Sequence, residues 1–277
     1  MMKSIIILTW IGISLLTSDV CAQKKLDKIW QTDTTLLIPE SVRLDPSAKI
    51  LYVSNIGIRG KDNTGFISQV GLDGKVISKA WVSGLTAVKG LGLYKNLLYA
   101  AEPTAVAVID IAKAAIVQRI PVEGAQLLND VTVDEQGIVY VSDFRGNKVY
   151  RIQDGKVSIY VDNMNSANGL LALGGDLYIL ANNALQKADA AKQLIPLVSG
   201  LETFPDGLEQ VKPGEFLVTI YSGMIYYVKA DGSKQLLMDT RQGASRSNSG
   251  DLGFDPVTHM VYVPTLAKTI IAYKLTD

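Results

Sequence analysis

The chain has 277 residues, with 27 Lys or Arg, 27 Asp or Glu and a formal net charge of zero. This balance excludes a strongly basic nucleic-acid surface spread over the molecule. Because 48% of the residues are hydrophobic and only 19% are charged, an acidic disordered chain is excluded as well. Basic residues are scattered, with no aromatic-interleaved basic patch, so we expect no nucleic-acid partner.

One Cys and one His limit the chemistry that the chain can perform. Cys21 lies in the N-terminal segment described next, so the rest of the chain has no disulfide, no thiolate metal site and no Cys nucleophile. His259 alone is too little for the usual zinc sites or for a Ser-His-Asp triad. Hydrolytic chemistry must therefore use carboxylates, amides, hydroxyls, Lys, Arg or a hard metal ion.

Residues 1–22 have the pattern of a secretory signal peptide. A charged start precedes an apolar run from Ile5 to Leu16, and small residues follow at a cleavage site. We therefore predict export to the periplasm or the medium, and a single domain over residues 23–277. An alternative makes Cys21 a lipid-anchored cysteine, although Asp19 and Val20 just before it suit that site poorly. No later stretch approaches ~18 apolar residues, so we expect no membrane span.

A pattern recurs six times in the exported part: a polar residue, a short apolar strand, a turn, and usually Leu-Tyr or Val-Tyr in a second strand. Further alternating runs surround the turns Asp73-Gly74, Asp154-Gly155 and Asp231-Gly232. Four strands in about 40 residues is the size of a propeller blade. We predict an all-β, six-bladed β-propeller, with an irregular β-sandwich as the alternative. The first unit is longer, with its excess in the Gly-rich segment from Gly57 to Gly65.

The last unit has room for only three strands before the chain stops. The segment from Leu26 to Leu37 precedes the first unit and has no unit of its own. We predict that it supplies the missing outer strand and closes the ring, because the last blade would otherwise keep an open edge. Ala112 to Val117 has helix-forming composition, but it lies where a turn and an outer strand are due.

The innermost strands of a propeller line its central channel, so the residues just before them converge if all these strands start at one face. The residues in this register are Glu40, Lys89, Asn129 with Asp130, Asn168, Asp206 and Asn248 to Asp251. The loops after the second strands open on the same face and carry Asn55, Glu102, Asp143 with Arg145, Asn182 and Tyr221. For Asn168-Gly169 and Asp206-Gly207 the alternative is an ordinary turn dipeptide.

Four oxygen-bearing side chains, two acids and two amides, occupy equal positions in four units: Glu40, Asn129, Asn168 and Asp206. Carboxylate and amide oxygens without His or Cys suit a hard divalent cation, and calcium takes about six to eight such ligands. Two carboxylates balance one divalent charge. We predict calcium at this site, with magnesium or manganese as alternatives.

These residues resemble the motifs of a known family: the senescence marker protein (regucalcin), gluconolactonase and luciferin-regenerating enzyme group, related in fold to paraoxonase and diisopropyl-fluorophosphatase. The resemblance spans the exported chain and rests on Pro39-Glu40, Asn129-Asp130, Asn168-Gly169-Leu170 and Pro205-Asp206-Gly207-Leu208. It implies that Glu40, Asn168 and Asp206 bind one catalytic divalent ion, that Asn129 faces metal or substrate, and that Asp206 is a general base. It also implies hydrolysis of lactones or related esters.

The sequence departs from this family at two places. Lys89 stands where paraoxonases place a His by the metal, and Gln126-Leu127-Leu128 replace the Arg that sugar lactonases usually carry before Asn-Asp. Lys89 or Arg145 could supply that cation, the alternative for each being a solvated rim charge. The predicted substrate contacts are Lys89, Asn129, Arg145 and Glu102. We expect His259 to be structural, in a turn on the opposite face.

Two functions of different classes remain open from the sequence. In the first, a metal-dependent hydrolase, the ion polarises the carbonyl or phosphoryl oxygen of a small-molecule lactone, ester or phosphotriester. Asp206, with Asp130 as the alternative, takes a proton from the attacking water. In the second, a non-catalytic propeller binds a small molecule, glycan or protein, and the ion holds the channel together. Asp130 favours the first, because a binding channel needs no second acid beside the metal ligands.

Overall fold

The computed structural model describes residues 23–241 and 247–277, so the predicted signal peptide and Cys21 lie outside the described residues. Within these ranges the secondary structure is entirely β, with six four-stranded antiparallel sheets. The innermost strand of each sheet contacts those of both neighbouring sheets, so the sheets form a closed ring. The chain is therefore a six-bladed β-propeller, and the sandwich alternative is wrong. No helix in the described ranges could cross a membrane.

The strands follow the chain in order, and only the first, β1 (Lys25–Gln31), belongs to a distant blade. Blade one is β2 (Pro39–Asp45), β3 (Ile50–Asn55), β4 (Gly65–Gly71) and β5 (Val76–Leu85). Blade two is β6 (Leu91–Tyr94), β7 (Leu97–Glu102), β8 (Ala105–Asp110) and β9 (Ala115–Pro121). Blade three is β10 (Leu128–Val133), β11 (Val139–Asp143), β12 (Lys148–Gln153) and β13 (Lys156–Val161).

Blade four is β14 (Leu170–Leu173), β15 (Asp176–Ala181), β16 (Ala184–Ala188) and β17 (Leu194–Val198). Blade five is β18 (Pro205–Lys212), β19 (Glu215–Ile220), β20 (Met224–Lys229) and β21 (Lys234–Asp239). Blade six is β22 (Gly253–Asp255), β23 (Met260–Pro264) and β24 (Ile270–Thr276), completed by β1.

The N-terminal strand closes the ring, as the missing fourth strand predicts. β1 pairs antiparallel with β24, from Lys25 opposite Thr276 to Gln31 opposite Ile271. Trp30 packs across the joint between blades six and one: its Nε1 donates to the Leu72 carbonyl at 2.9 Å, and its ring stands 5.8 Å from that of Tyr262. The predicted segment extends to Leu37, but the strand ends at Gln31, and the following residues lead back to blade one.

Six buried apolar clusters hold the blades together, each between two neighbours. The Tyr of the recurring Leu-Tyr motif belongs to them. Tyr52 lies between blades one and two and Tyr262 between blades six and one, each 1% exposed. Strand residues alternate between the two faces of a sheet, so every blade has apolar residues for both neighbours.

The turns match the dipeptides that predict them. Asp154 and Gly155 both have positive φ, 50° and 72°, as a type I′ hairpin turn requires. The segment beginning at Ala112 forms a turn and the start of β9, as predicted from the repeat and not from its composition. His259 lies in the turn between β22 and β23, at the end of blade six remote from the channel site, and its ring stacks on Phe254 at 6.3 Å.

Candidate functional site

One cavity opens at the end of the ring where the innermost strands begin. Its volume is about 450 Å³, and we call it the channel cavity. Five blades contribute a polar side chain to its lining: Glu40, Lys89, Asn129, Asn168 and Asp206. Four of them are almost fully buried and form its floor, and Lys89 is partly buried beside them. The structure therefore brings together the side chains that the sequence register places at one level.

Shifts in strand pairing set the direction of three floor residues. The register of the first two strands shifts around Glu40 in blade one, Asn129 in blade three and Asp206 in blade five. In each blade the next amide donates to a buried hydroxyl on the second strand at 2.7–2.9 Å: Ser41 to Ser54, Asp130 to Ser142 and Gly207 to Thr219. These bulges aim the preceding side chain while their amides stay hydrogen-bonded.

Glycines in the alternate blades let neighbouring main chains approach the channel axis. A Cβ on Gly169 would lie 2.2 Å from the Asp206 carbonyl oxygen, and one on Gly250 would lie 2.3 Å from that of Glu40. Gly169 and Gly207 have no positive φ. The turn-dipeptide alternative for Asn168-Gly169 and Asp206-Gly207 is therefore wrong, because both glycines serve close main-chain approach.

The backbone is strained two residues before four of the lining side chains. Left-handed φ values of 42–64° occur at Ile38, Ala87, Ser166 and Phe204, which precede Glu40, Lys89, Asn168 and Asp206. This conformation costs a residue with a Cβ about 1–2 kcal/mol, and such strain clusters at functional sites. Because this conformation recurs in four blades, the chain turns into each of these inner strands in the same way.

Two polar pairs cross the floor. Lys89 Nζ donates to Glu40 Oε1 at 2.9 Å, and Asn168 Nδ2 donates to Asp206 Oδ1 at 2.9 Å. A carboxylate oxygen can only accept, so the second bond fixes the Asn168 amide with its own oxygen turned elsewhere. Glu40 Oε2 and Asn168 Oδ1 are both buried and, among the described residues, receive no hydrogen bond. The floor thus holds two acceptor oxygens without a donor.

The carboxylate of Asp206 is unfavourable as a charge when no cation is bound. Burial and the nearby Glu40 raise the pKa of Asp206 to about 8, although Lys89 and the Asn168 hydrogen bond oppose this. Burial also acts to lower the pKa of Lys89, but the Glu40 and Asp206 charges outweigh it and leave that pKa above its ordinary value. A cation beside Asp206 would favour the carboxylate form at neutral pH.

Asp130 lies outside the lining of the channel cavity. Its carboxylate accepts the amides of Val131 at 2.6 Å and Leu170 at 2.7 Å, and so links blades three and four. Burial raises its pKa to about 7 despite these two bonds. Asp251, from blade six, is also absent from the lining and accepts the Ser41 hydroxyl at 2.6 Å. Neither acid is presented to a ligand in the cavity.

Glu102, predicted as a substrate contact, likewise lies away from the cavity. Its oxygens accept the Thr86 amide at 2.7 Å and Arg119 Nε at 2.8 Å, so it anchors the chain that leads into blade two. Arg145, the other predicted contact from a second-strand loop, does stand on the rim. The structure therefore separates these two residues, although the sequence register places them at the same level.

Several residues of the rim were not predicted, among them Arg59, Phe144 and Phe204. Arg59 lies in the Gly-rich excess of the first unit, and both Arg59 and Gly60 line the cavity. The Thr64 hydroxyl accepts the Ile58 amide at 2.9 Å within this loop. The excess length of that unit, and the position of Phe204 directly before Pro205-Asp206, are the signals that could have found these residues.

The floor is an oxygen site of mixed acids and amides. In residues 23–241 and 247–277, no three His, Cys, Asp or Glu side chains come together as a metal site. The floor has only two acids, and its other oxygens come from Asn129 and Asn168. Carboxylate and amide oxygens are what a hard divalent cation prefers, and two of those present have no donor. The residues present therefore fit such a cation.

Comparisons with known proteins support the fold. No protein-family model and no curated protein sequence matches the chain. Among solved structures, a virginiamycin B lyase from Staphylococcus aureus matches with a TM-score of 0.64 and 14% identity, over 92% of this chain and 100% of that one. A streptogramin B lyase matches with 0.65 and 12%, over 91% and 97%. A gluconolactonase from Xanthomonas campestris matches with 0.69 and 16%, over 88% of both chains.

These sequence identities are low, so the similarity shows a shared fold and does not show a shared activity. The chain shares the propeller fold of a gluconolactonase, a virginiamycin B lyase and a streptogramin B lyase. Its place within the regucalcin and gluconolactonase group stays a prediction.

Proposed function

We propose that the protein is an exported, metal-dependent hydrolase of lactones or related esters, with calcium or another divalent cation at the floor of the channel cavity. The observation that carries the proposal is the pair of buried, unpartnered oxygens, Glu40 Oε2 and Asn168 Oδ1. A buried acceptor without a donor costs about 1–3 kcal/mol, so the floor suits a ligand that binds oxygen. The shared fold of a gluconolactonase agrees with this function.

The floor residues have separate parts in such a hydrolysis. A bound divalent cation would polarise the carbonyl oxygen of the substrate. Asp206 accepts a proton from the attacking water, and the hydrogen bond from Asn168 holds its carboxylate in place. Lys89 holds Glu40 through Oε1, so Oε2 stays free for the cation. The ammonium of Lys89 also favours negative charge that develops on the substrate.

A panel of lactones and esters, assayed in calcium and in a chelator, tests this function. We expect turnover in calcium, none in the chelator, and recovery when calcium is returned. Asp206→Asn keeps an oxygen for the cation but cannot accept a proton at neutral pH, so it should lower the rate by about 10²–10⁴-fold. Asp154→Asn, in a hairpin turn far from the cavity, is the control and should keep full activity. A protein that binds calcium at the floor yet hydrolyses nothing in a broad panel would contradict the hydrolase.

The product distinguishes hydrolysis from elimination, which matters because two of the similar structures are lyases. When the reaction is run in ¹⁸O-labelled water, hydrolysis places one labelled oxygen in the acid product. Elimination opens a ring by breaking a carbon–oxygen bond and adds no oxygen from water. We expect one label per product molecule by mass spectrometry.

The alternative function is a propeller that binds a small molecule without reaction. The ion pair between Lys89 and Glu40 favours it, since it compensates one floor carboxylate without any added cation. Under this alternative, ligands bind the cavity equally well in calcium and in chelator, and no member of the panel is turned over.

A further inference from the structure

The rim of the channel cavity carries two guanidinium groups that have no partner among the described residues. Arg59 and Arg145 both line the cavity and are exposed. Within the described part of the chain, neither makes a hydrogen bond or an ion pair, whereas other arginines do: Arg43 with Glu209, Arg119 with Glu102 and Arg241 with Asp239. The rim therefore keeps two planar donors free for a ligand.

The charges of these guanidinium groups and of the floor residues act on the same cavity. Arg59 and Lys89 both line the cavity, so two cationic side chains face the same space. The lining carries three cationic side chains against the carboxylates of Glu40 and Asp206. A cation on the floor would increase the positive excess. A cleft with one sign of charge raises the local concentration of a ligand with the opposite sign.

Apolar side chains cover the rest of the wall: Ile56, Ala87, Leu127, Phe144, Phe204, Tyr221 and Leu266. The rings of Phe144 and Phe204 stand 5.6 Å apart. Phe204 nevertheless stays 44% exposed, and its backbone φ of 64° is unfavourable for a bulky residue. A strained backbone that keeps an aromatic ring at the mouth, two residues before Asp206, points to a ligand with an apolar body.

We infer that the substrate of this site is an amphipathic anion: a lactone or ester whose apolar ring packs on Phe144 and Phe204 and whose carboxylate binds Arg59 and Arg145. The inference rests on the proposed function in treating the ligand as a substrate. Planar guanidinium groups bind carboxylates through paired hydrogen bonds, which an uncharged group of the same shape does not match. A cavity of about 450 Å³ accommodates a small ring system.

A binding experiment tests the inference without any reaction. 2-Naphthoate and 2-naphthamide have nearly the same shape and differ in charge, and neither can be hydrolysed as a lactone. Calorimetric titration of the calcium-loaded protein should show naphthoate binding at least about tenfold more tightly, as charge-assisted hydrogen bonds require. Higher salt should weaken the binding of naphthoate and leave the affinity for naphthamide unchanged.

Matched variants locate the preference. Arg59→Ala and Arg145→Ala should each remove most of the preference for naphthoate over naphthamide. Lys61→Ala removes a charge from the same loop as Arg59 but not from the lining, and Lys156→Ala removes one from the far end of blade three. Both controls should keep the preference. Equal affinities for the two ligands in the wild type, no binding of naphthoate, or a preference that survives both Arg variants would overturn the inference.

A second arm separates this inference from the proposed function. 5-Carboxyphthalide is an aromatic lactone with a carboxylate, and phthalide-5-carboxamide is its neutral counterpart. We expect a higher kcat/KM for the charged lactone, lost in the two Arg variants. If naphthoate is preferred but neither these lactones nor any member of the broad panel is hydrolysed, the hydrolase fails and the anion-selective cavity stands. If both lactones are hydrolysed equally and the two naphthyl ligands bind equally, the hydrolase stands and the inference fails.

Discussion

Glu40 and Asn168 link the chemistry of single atoms to the stability of the whole chain. Each has a buried acceptor oxygen without a donor, and the folded state bears that cost until a ligand binds them. Only the folded chain assembles the floor, so a cation that binds there stabilises the fold by mass action. The melting temperature therefore reports on the cation site without any knowledge of the substrate.

Glu40→Gln should remove most of the rise in melting temperature that calcium gives the wild type, because it takes a negative charge away from the floor. Glu202→Gln is the matched control. Glu202 also has a buried oxygen without a donor, but it lies outside the cavity lining and accepts the Tyr226 hydroxyl at 2.6 Å. It should keep the full calcium response, with magnesium and manganese measured alongside. Equal responses in the two variants would place the cation elsewhere.

At the scale of single residues, the sequence predicts the level of a residue along the channel but not the direction in which its side chain points. The repeat places Asn129 and Asp130 at the same level of the channel. Adjacent strand residues face opposite ways, so only one of them can face the cavity, and the bulge in blade three decides which. The carboxylate of Asp130 instead binds main-chain amides of two blades. The hydroxyl partner of that bulge, Ser142, is an ordinary strand residue taken alone, and only its recurrence as Ser54 and Thr219 in the alternate blades marks the position.

At the scale of strands and loops, the site depends on close contact between alternate blades. The first strands of blades one, three and five carry bulges. Glycines of blades two, four and six leave room for the main-chain carbonyls of these neighbouring strands. Gly169 is the tightest of these contacts to a floor residue, with its missing Cβ 2.2 Å from the Asp206 carbonyl oxygen. Movement of that main chain would move the side chain of Asp206.

Gly169→Ala should lower stability by about 1–3 kcal/mol and also weaken the calcium response, because the Asp206 main chain must shift to admit the methyl group. Gly155→Ala is the control: its position is open but has a φ of 72°, so it should lower stability while leaving the calcium response intact. Melting curves with and without calcium check both variants. An unchanged calcium response in Gly169→Ala would show that the floor tolerates this shift.

The rim illustrates what the repeat could not predict. The strand starts follow from spacing alone, whereas the loop that carries Arg59 is an insertion in one unit. Its fold depends on hydrogen bonds such as those of Thr64 to Ile58 and of Asn63 to Thr86. The first of these bonds lies within the loop and the second joins it to the chain that leads into blade two, and the spacing of the repeat encodes neither. The excess length predicts a loop there but not the residues that it turns toward the cavity.

At the scale of the whole molecule, the ring depends on the joint between its two chain ends. Trp30→Ala should lower stability by up to about 3–5 kcal/mol, because it removes the ring contact with Tyr262 and the hydrogen bond to Leu72. Ile29, the preceding residue on the same strand, is 55% exposed, so Ile29→Ala should change the free energy of unfolding by less than about 0.5 kcal/mol. Urea unfolding of both variants makes the comparison. Similar losses in the two would mean that β1 contributes only as an edge strand.

The interior charge of the channel makes stability depend on pH when no cation is bound. The folded-state pKa values of Asp130 and Asp206, about 7 and about 8, exceed the value of about 3.9 in an unfolded chain. The stability gained by keeping these acids neutral is therefore complete below pH 4 and is lost as pH rises through 7 and 8. Ion-paired acids such as Asp239, with a pKa of about 2, titrate below this window.

In a chelator, the melting temperature should fall between pH 5 and pH 8. Calcium should restore it most at pH 8, because the pKa of Asp206 is about 8 and fewer protons then compete with the cation for its carboxylate. Asp206→Asn should show a shallower fall in the chelator, since it removes one of the titrating groups. Scanning calorimetry across this range measures both effects. A melting temperature that is constant or rises with pH in the chelator would contradict these pKa directions.

We expect a divalent cation to bind where Glu40 Oε2 and Asn168 Oδ1 have no donor among the described residues. A crystal structure of the calcium-loaded protein, with manganese as an anomalous substitute, tests this site. We expect one anomalous peak at the floor of the channel cavity, roughly 2.0–2.6 Å from oxygens of Glu40, Asn168 and Asp206. A floor without a peak, with Lys89 still paired to Glu40 at saturating metal, would contradict it.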